Sequence, residues 1–116
     1  MHDLSVVIPV QNEEENVRML IDEVRQALDG VLNYELIYVN DGSTDSTLEI
    51  LERYRSEFSL LKIFSHEKGV GQSTAVQTGV KHAESPVIAT LDGDGQNDPA
   101  DIPALFQVLI ENSATG

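Results

Sequence analysis

Cysteine is absent from this chain, and cationic side chains are scarce. The lack of cysteine excludes disulfide bonds, thiolate nucleophiles and cysteine-ligated metals, and it favours a reducing, cytoplasmic setting. Only 7 Lys and Arg stand against 20 Asp and Glu, so the formal net charge is −13. Because no basic stripe is available to neutralise a phosphate backbone, we expect no nucleic-acid partner.

Long hydrophobic runs are also missing. No segment approaches the ~18 consecutive apolar residues of a membrane span, and the first residues lack the basic and apolar regions of a signal peptide. The chain has 116 residues, of which 41% are hydrophobic. This length and composition predict one compact domain with a substantial core.

Short apolar runs alternate with segments of helical periodicity, which predicts the order βαβαβαβα. The predicted strands cover 4–10, 35–40, 60–65 and 86–91, and the first of them is rich in β-branched residues. Single helices between strands indicate a mainly parallel sheet with helices on both faces. We expect Asn12 to cap the first helix, with Glu15 completing a capping box, and we expect 86–91 to be a buried strand.

Polar residues and glycines follow each predicted strand, at 11–13, 41–43, 66–69 and 92–94. The carboxyl ends of parallel strands meet at one edge of a sheet, where ligands bind, so these segments should converge there. Asp92 and Asp94 are the most informative of these residues, because paired carboxylates after a strand can hold a divalent cation against a bound phosphate. An anionic substrate would otherwise be repelled by so acidic a chain.

Three segments, at 5–13, 39–47 and 91–99, together resemble the motifs of family 2 glycosyltransferases of the GT-A fold. Within that family the chain is most similar to the polyprenyl-phosphate branch, which includes dolichol-phosphate mannosyltransferases and undecaprenyl-phosphate sugar transferases. The resemblance implies that 1–116 is the Rossmann-like, nucleotide-sugar-binding portion of a transferase whose acceptor-binding part is absent. We therefore expect donor binding without turnover by this chain.

The resemblance also implies roles for individual residues. Asp92 and Asp94 would be catalytic, and Asp94 and Gln96 would ligate Mg²⁺ or Mn²⁺. Asp41 would accept the imino proton of uracil or guanine, which implies a UDP- or GDP-linked sugar. The implied nucleotide-binding set comprises Pro9, Val10, Gln11, Glu13, Asp41, Lys68, Asp92 and Gly93.

Some of these residues have simpler interpretations. Lys68 is also typical of a solvated loop lysine, and His66 is interpreted as a surface histidine because no second metal ligand lies at a suitable spacing. Asp41 is equally consistent with an ordinary turn before a helix.

The implied acceptor is a lipid phosphate, which would place the full-length protein at the cytoplasmic face of the membrane. The strand at 86–91 would have an unpaired edge in this chain, and such an edge predicts association with a second copy.

Two other classes share parts of the pattern. A phosphoacceptor receiver domain has the same length, acidity and βα order, but it needs an acidic pair after the first strand and a Lys after the last. A calcium-binding loop would use alternate positions from Asp92, but Asn97 and Pro103 stand where such a loop requires Gly and Glu. A loop starting at Asp41 has Ser46 in place of that Gly. Acetyl-phosphate labelling and nucleotide-independent calcium binding would distinguish these alternatives.

Overall fold

Strands and helices alternate along the chain in the computed structural model, which describes residues 2–93 and 99–103. The elements are β1 (Leu4–Val10), α1 (Val17–Leu28), β2 (Tyr34–Asp41), α2 (Thr47–Glu57), β3 (Leu61–His66), α3 (Gln72–His82), β4 (Val87–Thr90) and a 3₁₀ turn (Pro99–Asp101). The predicted α/β order is confirmed up to β4. The predicted last helix falls largely outside the described residues.

The four strands in the described residues are parallel and lie in the order β3-β2-β1-β4. β1 is central, pairing with β2 from Leu4 to Val10 and with β4 from Leu4 to Val7. Seven residues of β1 and eight of β2 are buried throughout. Strands buried on both faces read as continuous apolar runs, which is why the sequence predicted them well.

Helices cover both faces of the sheet, as predicted. On one face α1 contributes the buried residues Leu20, Ile21 and Val24 to the larger buried cluster, which also contains residues of β1 and β2. On the other face α3 lies mainly over β1 and β2. Gly79 permits that close approach, because a Cβ added there would collide with the side chain of Val7.

The expectation that the fourth strand is buried is wrong. In β4, Val87 and Ala89 pack against the larger cluster, whereas Ile88 and Thr90 are exposed. The reason is that α3 covers the middle of its face and leaves the β4 side open. Among the described strands β4 pairs only with β1, so it forms one edge of the sheet.

A buried carboxylate lies near the start of β2. Glu35 has no exposed surface, and it accepts hydrogen bonds from the Ser5 hydroxyl at 2.5 Å and the Glu84 amide at 2.8 Å. Glu35 also forms an ion pair with Lys62, whose Nζ lies 2.6 Å from Oε1 of Glu35. Burial acts to raise the pKa of Glu35, but these contacts outweigh it and hold the pKa below its ordinary value. The cluster ties β1, β2, β3 and the segment before β4 together.

None of the helices in the described parts of the chain combines the length and apolar character required to cross a bilayer.

Candidate functional site

A cavity of about 320 Å³ lies at the carboxyl ends of β1, β2 and β4. It is where parallel sheets of this kind bind ligands. All of the residues predicted to bind nucleotide line this cavity except Lys68, which is exposed on the loop before α3. The lining set also includes two residues that were not predicted, Gln72 and Ala75.

Asp41 is the last residue of β2, whereas the sequence placed it in the turn that follows. The residue is only 4% exposed, and its carboxylate accepts hydrogen bonds from the backbone amides of Val70 at 2.9 Å and Gly71 at 3.0 Å. His66 Nδ1 lies 2.9 Å from the same carboxylate. Burial acts to raise the pKa of Asp41, but these donors prevail and hold the pKa below its ordinary value. Asp41 is therefore ionised and anchors the loop that leads into α3.

The interpretation of His66 as a surface histidine is wrong. Its ring lies between two elements, with Nδ1 against Asp41 and Nε2 2.9 Å from the hydroxyl of Thr78 on α3. The residue is last in β3, and β3 is paired with β2 so that His66 lies opposite Asp41. Nothing in the local sequence signals this contact, because it depends on strand register.

The predicted capping role of Asn12 is also wrong. α1 begins at Val17 with Asn16 as its N-cap, and the first turn contains no acidic residue. Asn12 instead has a positive φ of 55°. Its side-chain oxygen accepts hydrogen bonds from the amides of Thr44 at 2.7 Å and Asp45 at 3.3 Å.

Further hydrogen bonds join the same two loops, which follow β1 and β2. The amide of Asn12 donates to the Ser43 hydroxyl at 2.9 Å, and the amide of Glu13 donates to the Thr47 hydroxyl at 3.0 Å. These bonds hold Gln11 and Glu13 at the mouth of the cavity. Asn12 therefore bonds the loop after β2, whereas Glu13 bonds that loop and also the start of α1, where its side chain accepts a hydrogen bond from the Asn16 side chain at 2.7 Å.

Gly93 closes the cavity floor beside β1. An added Cβ there would lie 2.5 Å from the Val10 side chain and 2.9 Å from the Pro9 carbonyl oxygen. Real Cβ atoms essentially never approach so closely, so only glycine fits this position. The close packing fixes the path of the chain directly after Asp92.

The cavity is strongly acidic. Glu13, Asp41 and Asp92 line it, and none of the described lining residues is a Lys or Arg. A diphosphate would be repelled by these charges unless a cation were bound with it. Asp94 and Gln96, the predicted metal ligands, lie outside the described residues. Within 2–93 and 99–103 no group of three acidic, His or Cys side chains could hold a metal ion. Asp92 is the one described residue of the predicted acidic pair, and it lines the cavity beside Gly93.

Comparison with known proteins places the site in a family. The model of glycosyl transferase family 2 matches residues 5–116. The dodecaprenyl-phosphate galacturonate synthase of Rhizobium johnstonii is 42% identical over 109 residues, which are 92% of this chain and 32% of that protein. The dolichol-phosphate mannosyltransferase of Pyrococcus furiosus is 37% identical over 110 residues, which are 95% of this chain and 31% of that protein. The chain thus spans about a third of the length of these relatives.

Solved structures agree with this placement. Residues 1–349 of TarS from S. aureus, in complex with UDP, superpose with a TM-score of 0.80 at 25% identity, over 94% of this chain and 32% of that one. The mannosyltransferase PcManGT from Pyrobaculum calidifontis, in complex with GDP-Man and Mn²⁺, shares the fold with a TM-score of 0.77 at 20% identity, over 94% of this chain and 33% of that one. The motif resemblance is confirmed, as is the α/β fold of the GT-A type. The chain belongs to glycosyl transferase family 2.

Proposed function

We propose that this chain binds a UDP- or GDP-linked sugar in the cavity at the carboxyl edge of the sheet, together with a divalent cation. The observation that carries the proposal is the convergence of motif residues from three strand ends on one acidic cavity. TarS, whose structure in complex with UDP superposes on this chain, supports uridine nucleotides as donors.

The hydrogen bonds of Asp41 suit it to recognise the base. Oδ1 accepts a hydrogen bond from the amide of Val70 and lies within hydrogen-bonding distance of His66 Nδ1. Oδ2 accepts a hydrogen bond from the amide of Gly71. A carboxylate oxygen has two lone pairs, so Oδ2 can accept one more donor. The imino N–H of uracil or guanine is such a donor, and adenine and cytosine present none at the corresponding position. The donors already bound keep the carboxylate ionised and correctly oriented.

Charge is the second requirement of the site. We propose that Asp94 and Gln96 hold Mg²⁺ or Mn²⁺, with Asp92 beside them, as the chemistry of their oxygen donors permits. A bound divalent cation supplies positive charge that stabilises the diphosphate leaving group. Gly93, directly after Asp92, packs closely against Pro9 and Val10.

The whole protein, as distinct from this chain, would transfer the sugar to a lipid phosphate at a membrane surface. The support is the names of its relatives, which are a dodecaprenyl-phosphate galacturonate synthase and a dolichol-phosphate mannosyltransferase. This chain matches about a third of those proteins, so we expect nucleotide binding by it and no transfer to a polyprenyl phosphate.

Isothermal titration calorimetry of UDP, GDP and ADP tests the proposal, each measured with and without Mn²⁺. We expect UDP or GDP to bind, ADP to bind much more weakly, and Mn²⁺ to increase the affinity. Asp94→Ala should abolish the increase with Mn²⁺, while Asp22→Ala, at an exposed position on α1, should preserve it. Equal binding of all three nucleotides, or an Mn²⁺ effect that survives Asp94→Ala, would contradict the proposal.

A further inference from the structure

One side chain crosses the cavity from the helix on one side to the acidic loop on the other. Gln72, the first residue of α3, donates a hydrogen bond from Nε2 to Oδ1 of Asp92 at 3.0 Å. Both residues line the cavity. The contact joins positions 20 residues apart, and the motif residues around Asp92 do not predict it.

The backbone that carries Gln72 is held in place. The preceding residue, Gly71, is the N-cap of α3 with a φ of 104°. Its amide and that of Val70 are bound to the Asp41 carboxylate. The start of α3 is thereby anchored to the end of β2, and the Gln72 side chain extends this connection to Asp92 after β4. Hydrogen bonds thus connect the start of α3 both to the end of β2 and to the segment after β4.

The neutral amide side chain of Gln72 suits the negative charge of the cavity. Glu13, Asp41 and Asp92 already place three carboxylates there. A glutamine can hold one oxygen of Asp92 without adding a fourth negative charge, because the amide donor is neutral and does not titrate. Fixing one carboxylate oxygen restricts rotation of the Asp92 side chain, which lowers the entropy lost when a ligand binds.

We propose that Gln72 is a positioning residue that orients Asp92 toward the bound nucleotide-sugar and its cation. The proposal rests on the donor-binding function proposed above. Gln72 acts through Asp92, so its loss matters only while the Asp92 carboxylate is present. A residue that acted independently, or that served stability only, would not show this dependence.

A double-mutant cycle measures this dependence directly. Calorimetry in the presence of Mn²⁺ compares the wild-type chain, Gln72→Met, Asp92→Ala and the double variant, with UDP and GDP as ligands. Methionine keeps the length of the side chain but cannot donate. Because a hydrogen bond to a charged group is being removed, we expect Gln72→Met to bind about tenfold more weakly than wild type. In the Asp92→Ala background the same change should have less than about a twofold effect.

The matched control is Gln77→Met, an exposed glutamine on the same helix that does not line the cavity. It should bind like wild type, and both single methionine variants should unfold at the wild-type urea midpoint because Gln72 is exposed as well.

The outcomes separate the two proposals. If the wild-type chain binds neither nucleotide, the donor-binding function fails and the role of Gln72 fails with it. If wild type binds and Gln72→Met binds equally well, only the inference about Gln72 is overturned. A tenfold loss that persists in the Asp92→Ala background would also overturn it.

Discussion

Asp41 should be a major contributor to stability as well as a binding residue. Asp41→Ala removes the acceptor for the amides of Val70 and Gly71 and for the His66 ring. A hydrogen bond to a charged group contributes about 1.5–3 kcal/mol, but water can replace part of what the two amides lose, because Val70 and Gly71 are exposed. We therefore expect the free energy of unfolding to fall by about 3 kcal/mol. Asp41→Asn retains one acceptor oxygen and should cost about half as much.

Urea denaturation followed by far-ultraviolet circular dichroism measures this change. The matched control is Asp22→Ala, whose exposed side chain lies on α1 and should alter the free energy of unfolding by less than about 0.5 kcal/mol. If Asp41→Ala were as stable as this control, the carboxylate would not anchor the loop before α3. The anchoring of the start of α3 to the end of β2 by Asp41 would then be refuted.

Four further effects are expected. The pKa of Asp41 is lowered in the folded state, so the ionised carboxylate stabilises the fold above the ordinary value of 3.8. This contribution is lost as the pH falls through the folded-state pKa. The difference in free energy of unfolding between wild type and Asp41→Asn, measured in urea at a series of pH values, should therefore shrink in acid. Asn12→Ala should lower the free energy of unfolding by about 1–2 kcal/mol in urea, because the Thr44 and Asp45 amides lose their acceptor and alanine tolerates the positive φ poorly. Glu35→Ala should cost about 2–3 kcal/mol by the same assay, because the Ser5 hydroxyl and the Glu84 amide lose their buried acceptor and the partly exposed Lys62 ammonium loses its nearer carboxylate; a change below about 1 kcal/mol would argue against this cluster. We expect the β4 edge to promote self-association, which light scattering after size-exclusion chromatography should detect. Ile88→Lys, at an exposed position of β4, should reduce the association. A monomeric wild-type chain at high concentration would contradict this expectation.

Local sequence patterns were sufficient for the elements of the fold. β1 has the predicted bounds, and β2 and β3 differ by one residue at each end. β1 and β2 are largely apolar because both of their faces are buried, so the signal lies within a few consecutive residues. The exposure of Ile88 in β4 was not predictable in this way, because it depends on where α3 lies over the sheet.

Most of the cavity lining was predictable too, because parallel strands bring their carboxyl ends to one edge whatever the details of packing. The sequence by itself therefore determined the order of the strands and helices, the edge of the sheet at which the cavity lies, and the motif residues that line it. Only the tertiary structure decided which of these side chains bind one another. The bonds from Asn12 to Thr44, from His66 to Asp41 and from Gln72 to Asp92 join residues between 20 and 32 positions apart. Such contacts are set by strand register and helix placement, and these are properties of the whole packed chain rather than of any local segment.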